Sequence, residues 1–169
     1  MASENSKGQG KESPVPYFPI LVMGVGNILL SDEGVGVRVI EAMRDIKLPD
    51  NVEILDVGTG ALDIIGIIAN REKVIIIDAV KGSGEPGTVY RFTPNDITML
   101  SPTPLSVHQF DIPGMLNMTA LAGCEPQQVV IFGIEPKRIE WGLELSSEVA
   151  AIIPDVVKLI ISELYESKT

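Results

Sequence analysis

The segment Val74-Ile75-Ile76-Ile77-Asp78 constrains the fold most, because it is an almost uninterrupted apolar run that stops at an acid. A strand wetted on one side alternates apolar and polar residues, whereas a run this apolar suits a strand covered on both faces, as in parallel sheets. Pro19-Ile20-Leu21-Val22-Met23, Val52-Glu53-Ile54-Leu55-Asp56 and Val129-Val130-Ile131-Phe132-Gly133 also read as strands, and Thr88 to Phe92 alternates like a strand at an edge. Between them, helical spacing is carried by Val35, Val39, Ile40 and Met43, by Leu62 to Ala69, and by Met115 to Ala122 with Asp111 as cap and Gly123 as stop. Ser147 to Tyr165 forms a long last helix that Pro154 should kink. Strands alternating with helices imply an α/β fold, a doubly wound sheet with helices on both faces.

Composition excludes several classes of function. Thirteen basic and twenty-three acidic residues leave a net charge of −10, which repels nucleic acid and anionic membrane surfaces. No segment is long and apolar enough to span a bilayer. A single cysteine, Cys124, makes neither an internal disulfide nor a cysteine metal cluster, so a reducing cytoplasm is the expected compartment. Residues 1–16, rich in Ser, Gly, Lys and Glu, are expected to form a mobile tail, and 17–169 a single domain.

The densest chemistry follows the first strand, where Gly24-Val25-Gly26-Asn27-Ile28-Leu29-Leu30-Ser31-Asp32-Glu33-Gly34 carries two adjacent acids at a strand-to-helix junction. Ser31 or Asp32 there can serve as a helix cap, with Glu33 adding favourable charge. Glu33 is also placed where ligands bind in open α/β sheets, outside the carboxyl ends of the strands. A dinucleotide reading fails, since Leu29 occupies the place of the third glycine. Asp78 ends the third strand as Glu33 follows the first, so parallel neighbouring strands would open both acids into one crevice. His108, in Leu105-Ser106-Val107-His108-Gln109, is the only histidine and precedes a helix. Two carboxylates and an imidazole suit zinc, nickel, iron or manganese, with positions left for substrate. With no second histidine and no Gly-x-Ser-x-Gly elbow, hydrolysis would go through activated water.

In order along the chain, Gly24 to Arg38, Glu53 to Thr59, Ile76-Ile77-Asp78-Ala79-Val80, Ser106 to Gln109, Gly133-Ile134-Glu135-Pro136 and Trp141-Gly142-Leu143-Glu144-Leu145-Ser146 resemble the hydrogenase maturation endopeptidases. These enzymes trim the carboxyl-terminal extension from the large subunit of [NiFe] hydrogenases. The resemblance implies a three-layer α/β/α sandwich around a twisted, mostly parallel sheet of about five strands. It implies Glu33, Asp78 and His108 as nickel ligands, with Glu33 and Asp78 also catalytic. The nickel would arrive with the substrate, a precursor of a [NiFe] hydrogenase large subunit, and other divalent metals would fill the site in its absence. Asp56, Gly58 and Thr59, at the end of the second strand, should line the same groove and contact the substrate tail, although Thr59 equally suits a helix-entry turn. A monomer is expected. The competing reading is a non-proteolytic metal- or nucleotide-binding accessory protein of hydrogenase assembly.

Overall fold

In the computed structural model, residues 18–60, 64–99 and 112–166 are described. The segment expected to be a tail (1–16), the cap residue Asp111 and His108 lie outside them. Strands β1 (Ile20–Val25), β2 (Val52–Gly58), β3 (Lys73–Ala79), β4 (Val89–Phe92) and β5 (Gln128–Ile134) form one sheet in the order β2-β1-β3-β5-β4. All neighbours are parallel except β4, which runs antiparallel to β5 at the edge. The helices are α1 (Val35–Met43), α2 (Ile64–Ile68), α3 (Pro94–Met99), α4 (Ile112–Leu121) and α5 (Ser147–Tyr165).

The two-residue period of the strands sorts their side chains into two cores. Val22, Ile75, Ile77, Val130, Phe132 and Ile134 pack with Val39, Ile40 and Met43 of α1 and Val156, Val157 and Ile160 of α5. Leu21, Met23, Val25, Val74, Ile76, Val129 and Ile131 pack with Ile68 of α2 and Ile112 and Met115 of α4. Every residue of β3 is buried, as its sequence predicts for a strand covered on both faces. The result is the expected three-layer sandwich. Residues 94–99 are the departure: they carry α3, a six-residue helix too short for its periodicity to stand out.

The glycines around β1 serve close packing of helix on sheet. A Cβ on Gly36 would lie 2.3 Å from both the Ile77 and the Val25 carbonyl oxygens, and one on Gly24 would lie 2.2 Å from the Gly36 carbonyl oxygen. The first turn of α1 thus rests directly on the backbones of β1 and β3. Because backbone rather than a flexible side chain is in the way, Gly36→Ala should cost more than the ~1–3 kcal/mol usual for overpacking, read by urea denaturation.

At the amino end of the strands, buried Glu163 of α5 takes Lys73 (Nζ to Oε1, 2.5 Å) and Arg91 (Nε to Oε2, 2.7 Å). Burial pushes the Glu163 carboxyl up, but its hydrogen bonds to Arg91 and Lys73 outweigh this and hold it below the ordinary 4.5. A depressed native pKa gives stability that is full above the unfolded value and lost as pH falls through the native one. The protein should therefore lose stability below about pH 4.5. Glu163→Gln should remove that portion of the acid dependence. It should also destabilise the fold by about 3–5 kcal/mol at neutral pH, because Lys73 stays buried without its counter-charge.

Candidate active site

The sheet order places a topological switch point between β1 and β3: α1 leads from β1 to β2 on one side, and β3 flanks β1 on the other. Ligands of doubly wound sheets bind outside the carboxyl ends of the strands at this point. Gly24 pairs with Ile77, so Asp78 lies one residue beyond, level with the end of β1. The 3₁₀ turn Ser31–Gly34, which carries Glu33, packs against β3. The two predicted acids therefore sit on touching elements at the switch point, and the condition set for their convergence, parallel neighbouring strands, is met.

Both are buried. Glu33 is 5% exposed, and burial pushes its carboxyl above the ordinary 4.5. Asp78 is fully buried, and its Oδ1 accepts a hydrogen bond from the Ala79 amide at 2.8 Å. Strand alternation puts Asp78 on the face of Val74 and Ile76, the face covered by α2 and α4. The Glu33 backbone is held from below by Gly26, at φ +140, where a Cβ would come within 2.0 Å of the Glu33 carbonyl oxygen.

Asp56, Gly58 and Thr59 end β2 on the other side of β1. Asp56 is exposed, and its Oδ1 accepts the Gly58 amide at 2.9 Å, closing a local turn in which Gly58 adopts φ +58. The Gly58 carbonyl accepts the Gly26 amide at 2.9 Å, which joins this turn to the loop under Glu33. Thr59 is exposed. Among the described residues no three potential metal-ligating side chains gather, and the predicted third ligand, His108, lies outside them.

Asp32 corrects the capping expectation. Neither Ser31 nor Asp32 caps the turn or α1; no side-chain bond is made there. Asp32 is fully buried and instead binds a strap more than a hundred residues away. Its Oδ2 accepts from the Lys137 amide (2.9 Å), the Arg138 amide (3.0 Å) and Ser146 Oγ (2.8 Å), and its Oδ1 from the Ser146 amide (2.6 Å). Ser31 reinforces the join: its amide donates to Gly142 O (2.8 Å) and its Oγ to Glu140 O (3.0 Å). These bonds maintain the strained φ of +53 at Ser31. The loop after Asp78 is secured in turn by Glu135, whose Oε2 accepts from the Gly82 amide (2.7 Å) and from Tyr90 Oη (2.8 Å). Both tethers escape sequence reasoning because donor and acceptor are far apart in the chain.

A family profile described as hydrogenase maturation protease matches residues 37–163. The hydrogenase 2 maturation protease of Escherichia coli is 37% identical over 150 residues, covering 88% of this chain and 92% of its own. The coenzyme F420 hydrogenase subunit delta of Methanothermobacter thermautotrophicus is 34% identical, covering 91% of this chain and all of its own. Among solved structures, the Escherichia coli hydrogenase maturating endopeptidase HybD superposes with a TM-score of 0.79 at 37% identity, covering 87% of this chain and 92% of that one. A hydrogenase 2 maturation peptidase from a Thaumarchaeota archaeon superposes with a TM-score of 0.67 at 32% identity, covering 86% of this chain and 97% of that one. With the switch-point acids in place and the fold shared, this chain belongs to the hydrogenase maturation proteases, hydrolases of peptide bonds.

Proposed function

We infer that this protein removes the carboxyl-terminal extension of a nickel-loaded [NiFe] hydrogenase large-subunit precursor, and that the nickel, brought by the substrate, is recognised by Glu33, Asp78 and His108. The observation that carries this reading is the pair of buried acids, Glu33 and Asp78, on touching elements at the switch point. Burial that raises the Glu33 pKa makes its ionised form a stronger base and favours pairing it with a cation. Two routes to hydrolysis are open to such a site: the substrate's metal polarises the scissile carbonyl, or a carboxylate takes a proton from the attacking water. In either route Asp56, Gly58 and Thr59 contact the substrate tail from the adjoining strand end. The protein acts as a monomer in the cytoplasm.

His108 belongs to the set on chemistry and chain position: it falls shortly before α4, the helix on the face that Asp78 shares. His108→Ala should slow processing of nickel-loaded precursor, because an imidazole ligand to the substrate's metal is lost. Nickel-free precursor should be left intact throughout. Gel mobility of the two precursor forms, followed with time, checks this; equal processing of both forms would refute nickel recognition.

A further inference from the structure

The turn before Glu33 and the strap at 137–146 join as a short parallel pairing, with Leu30 bridged to Gly142. The Gly142 amide donates to Leu29 O at 3.0 Å. This pairing sets Leu29 and Trp141, each one residue before the bridge, on adjoining segments. Both face water: Leu29 is 48% and Trp141 83% exposed, with Leu143 at 56% beside them. Exposed apolar side chains are ordinary when single, but a cluster beside a candidate active site marks an interaction surface.

This lip is rigid. Asp32 holds the strap from inside, and Arg38 Nη2 of α1 donates to Leu143 O at 2.9 Å. Most of its charges are matched: Lys137 Nζ pairs with Glu148 at 2.6 Å, holding that carboxyl at about 2, and Arg138 pairs with Glu140 at 3.4 Å, which leaves exposed Glu144 as the remaining acid of the strap. In a chain of net charge −10 the strap thus presents a mainly apolar surface with one remaining acid, which suits burial against a protein rather than attraction of an anionic small molecule.

We propose that Leu29, Trp141 and Leu143 form the docking surface for an apolar segment of the precursor's folded body, seated while the extension reaches Glu33. The occupant follows from continuity: Leu29 lies four residues before Glu33, just ahead of the 3₁₀ turn that carries it, so a protein substrate presenting a peptide bond to Glu33 passes close to this lip. The proposal rests on the precursor being the substrate.

The chain's one tryptophan makes the test direct. With 5-fluorotryptophan incorporated, the full chain carries a single ¹⁹F resonance, and nickel-loaded precursor added in excess to the wild-type protein should shift that resonance while cleavage proceeds. In the otherwise unaltered enzyme, Trp141→Ala should raise KM for the precursor about tenfold or more, with kcat within about twofold and an unchanged melting temperature. An unmoved resonance and unchanged KM while cleavage proceeds would overturn the docking surface and leave the protease reading standing. A moved resonance with no cleavage by the wild-type enzyme would do the reverse. A resonance that shifts with protein concentration alone, or on deleting residues 1–16, would assign the lip to a second copy or to the chain's own amino-terminal segment and overturn the proposal.

Discussion

Glu33→Gln should yield a folded protein that no longer shortens the precursor, with cleavage lowered by at least about 10²–10⁴-fold. Glutamine keeps the shape of a side chain that is 5% exposed, so the surrounding packing is preserved. It loses both the negative charge that holds a cation and the ability to take a proton from water. Stability should move the other way. Because burial raises the native pKa of Glu33 above 4.5, the wild type loses this group's contribution as pH rises through that native value. The variant has no such titration, so its melting temperature relative to wild type should improve from about pH 4.5 upward and level off once Glu33 is ionised in the native protein. Thermal melts across pH, paired with precursor cleavage, read both effects. Wild-type cleavage by a folded variant would remove Glu33 from the site.

Asp32→Ala should be the most destabilising of the site substitutions. Four donors converge on this one buried carboxylate. Hydrogen bonds to a charged group contribute about 1.5–3 kcal/mol each. Water reaches part of the strap once the carboxylate is gone, so a net loss on the order of 3–5 kcal/mol is expected. Asp32→Asn should be milder but still costly. Its amide nitrogen must face the Ser146 amide if it replaces Oδ1, or three donors if it replaces Oδ2. Denaturant melts should rank the proteins wild type, Asn, Ala in falling stability, and amide exchange should quicken at residues 137–146 in both variants. Equal stability of all three would mean that the strap is held by other contacts.

The outline of the fold is readable in the chain because the central strands are short apolar runs and the turn after β1 is marked by glycine. Ser147–Tyr165 is helical over its expected span, including Pro154, and β4 lies at the edge that its alternation predicts. Residues 94–99 escape because six residues make too few turns to show a period. Of the candidate site, the positions of Glu33 and Asp78 at the switch point are legible because both follow the ends of strands, where ligands bind in this architecture. Asp32 is not. Its neighbouring position suggests a local cap, and only the folded chain brings the strap at 137–146 to it. Glu135, which secures the loop after Asp78, is hidden in the same way inside a motif that identifies the family without revealing the contact.

The central claim, that the buried acids at the β1–β3 switch point cut a peptide bond in the hydrogenase precursor, is tested most directly by intact mass. Nickel-loaded large-subunit precursor is incubated with the wild-type protein and weighed by mass spectrometry. The expected result is a single shortened product and one released carboxyl-terminal peptide, with no product from Glu33→Gln. A precursor that binds the protein and keeps its full mass would contradict the claim and point to a non-proteolytic accessory role.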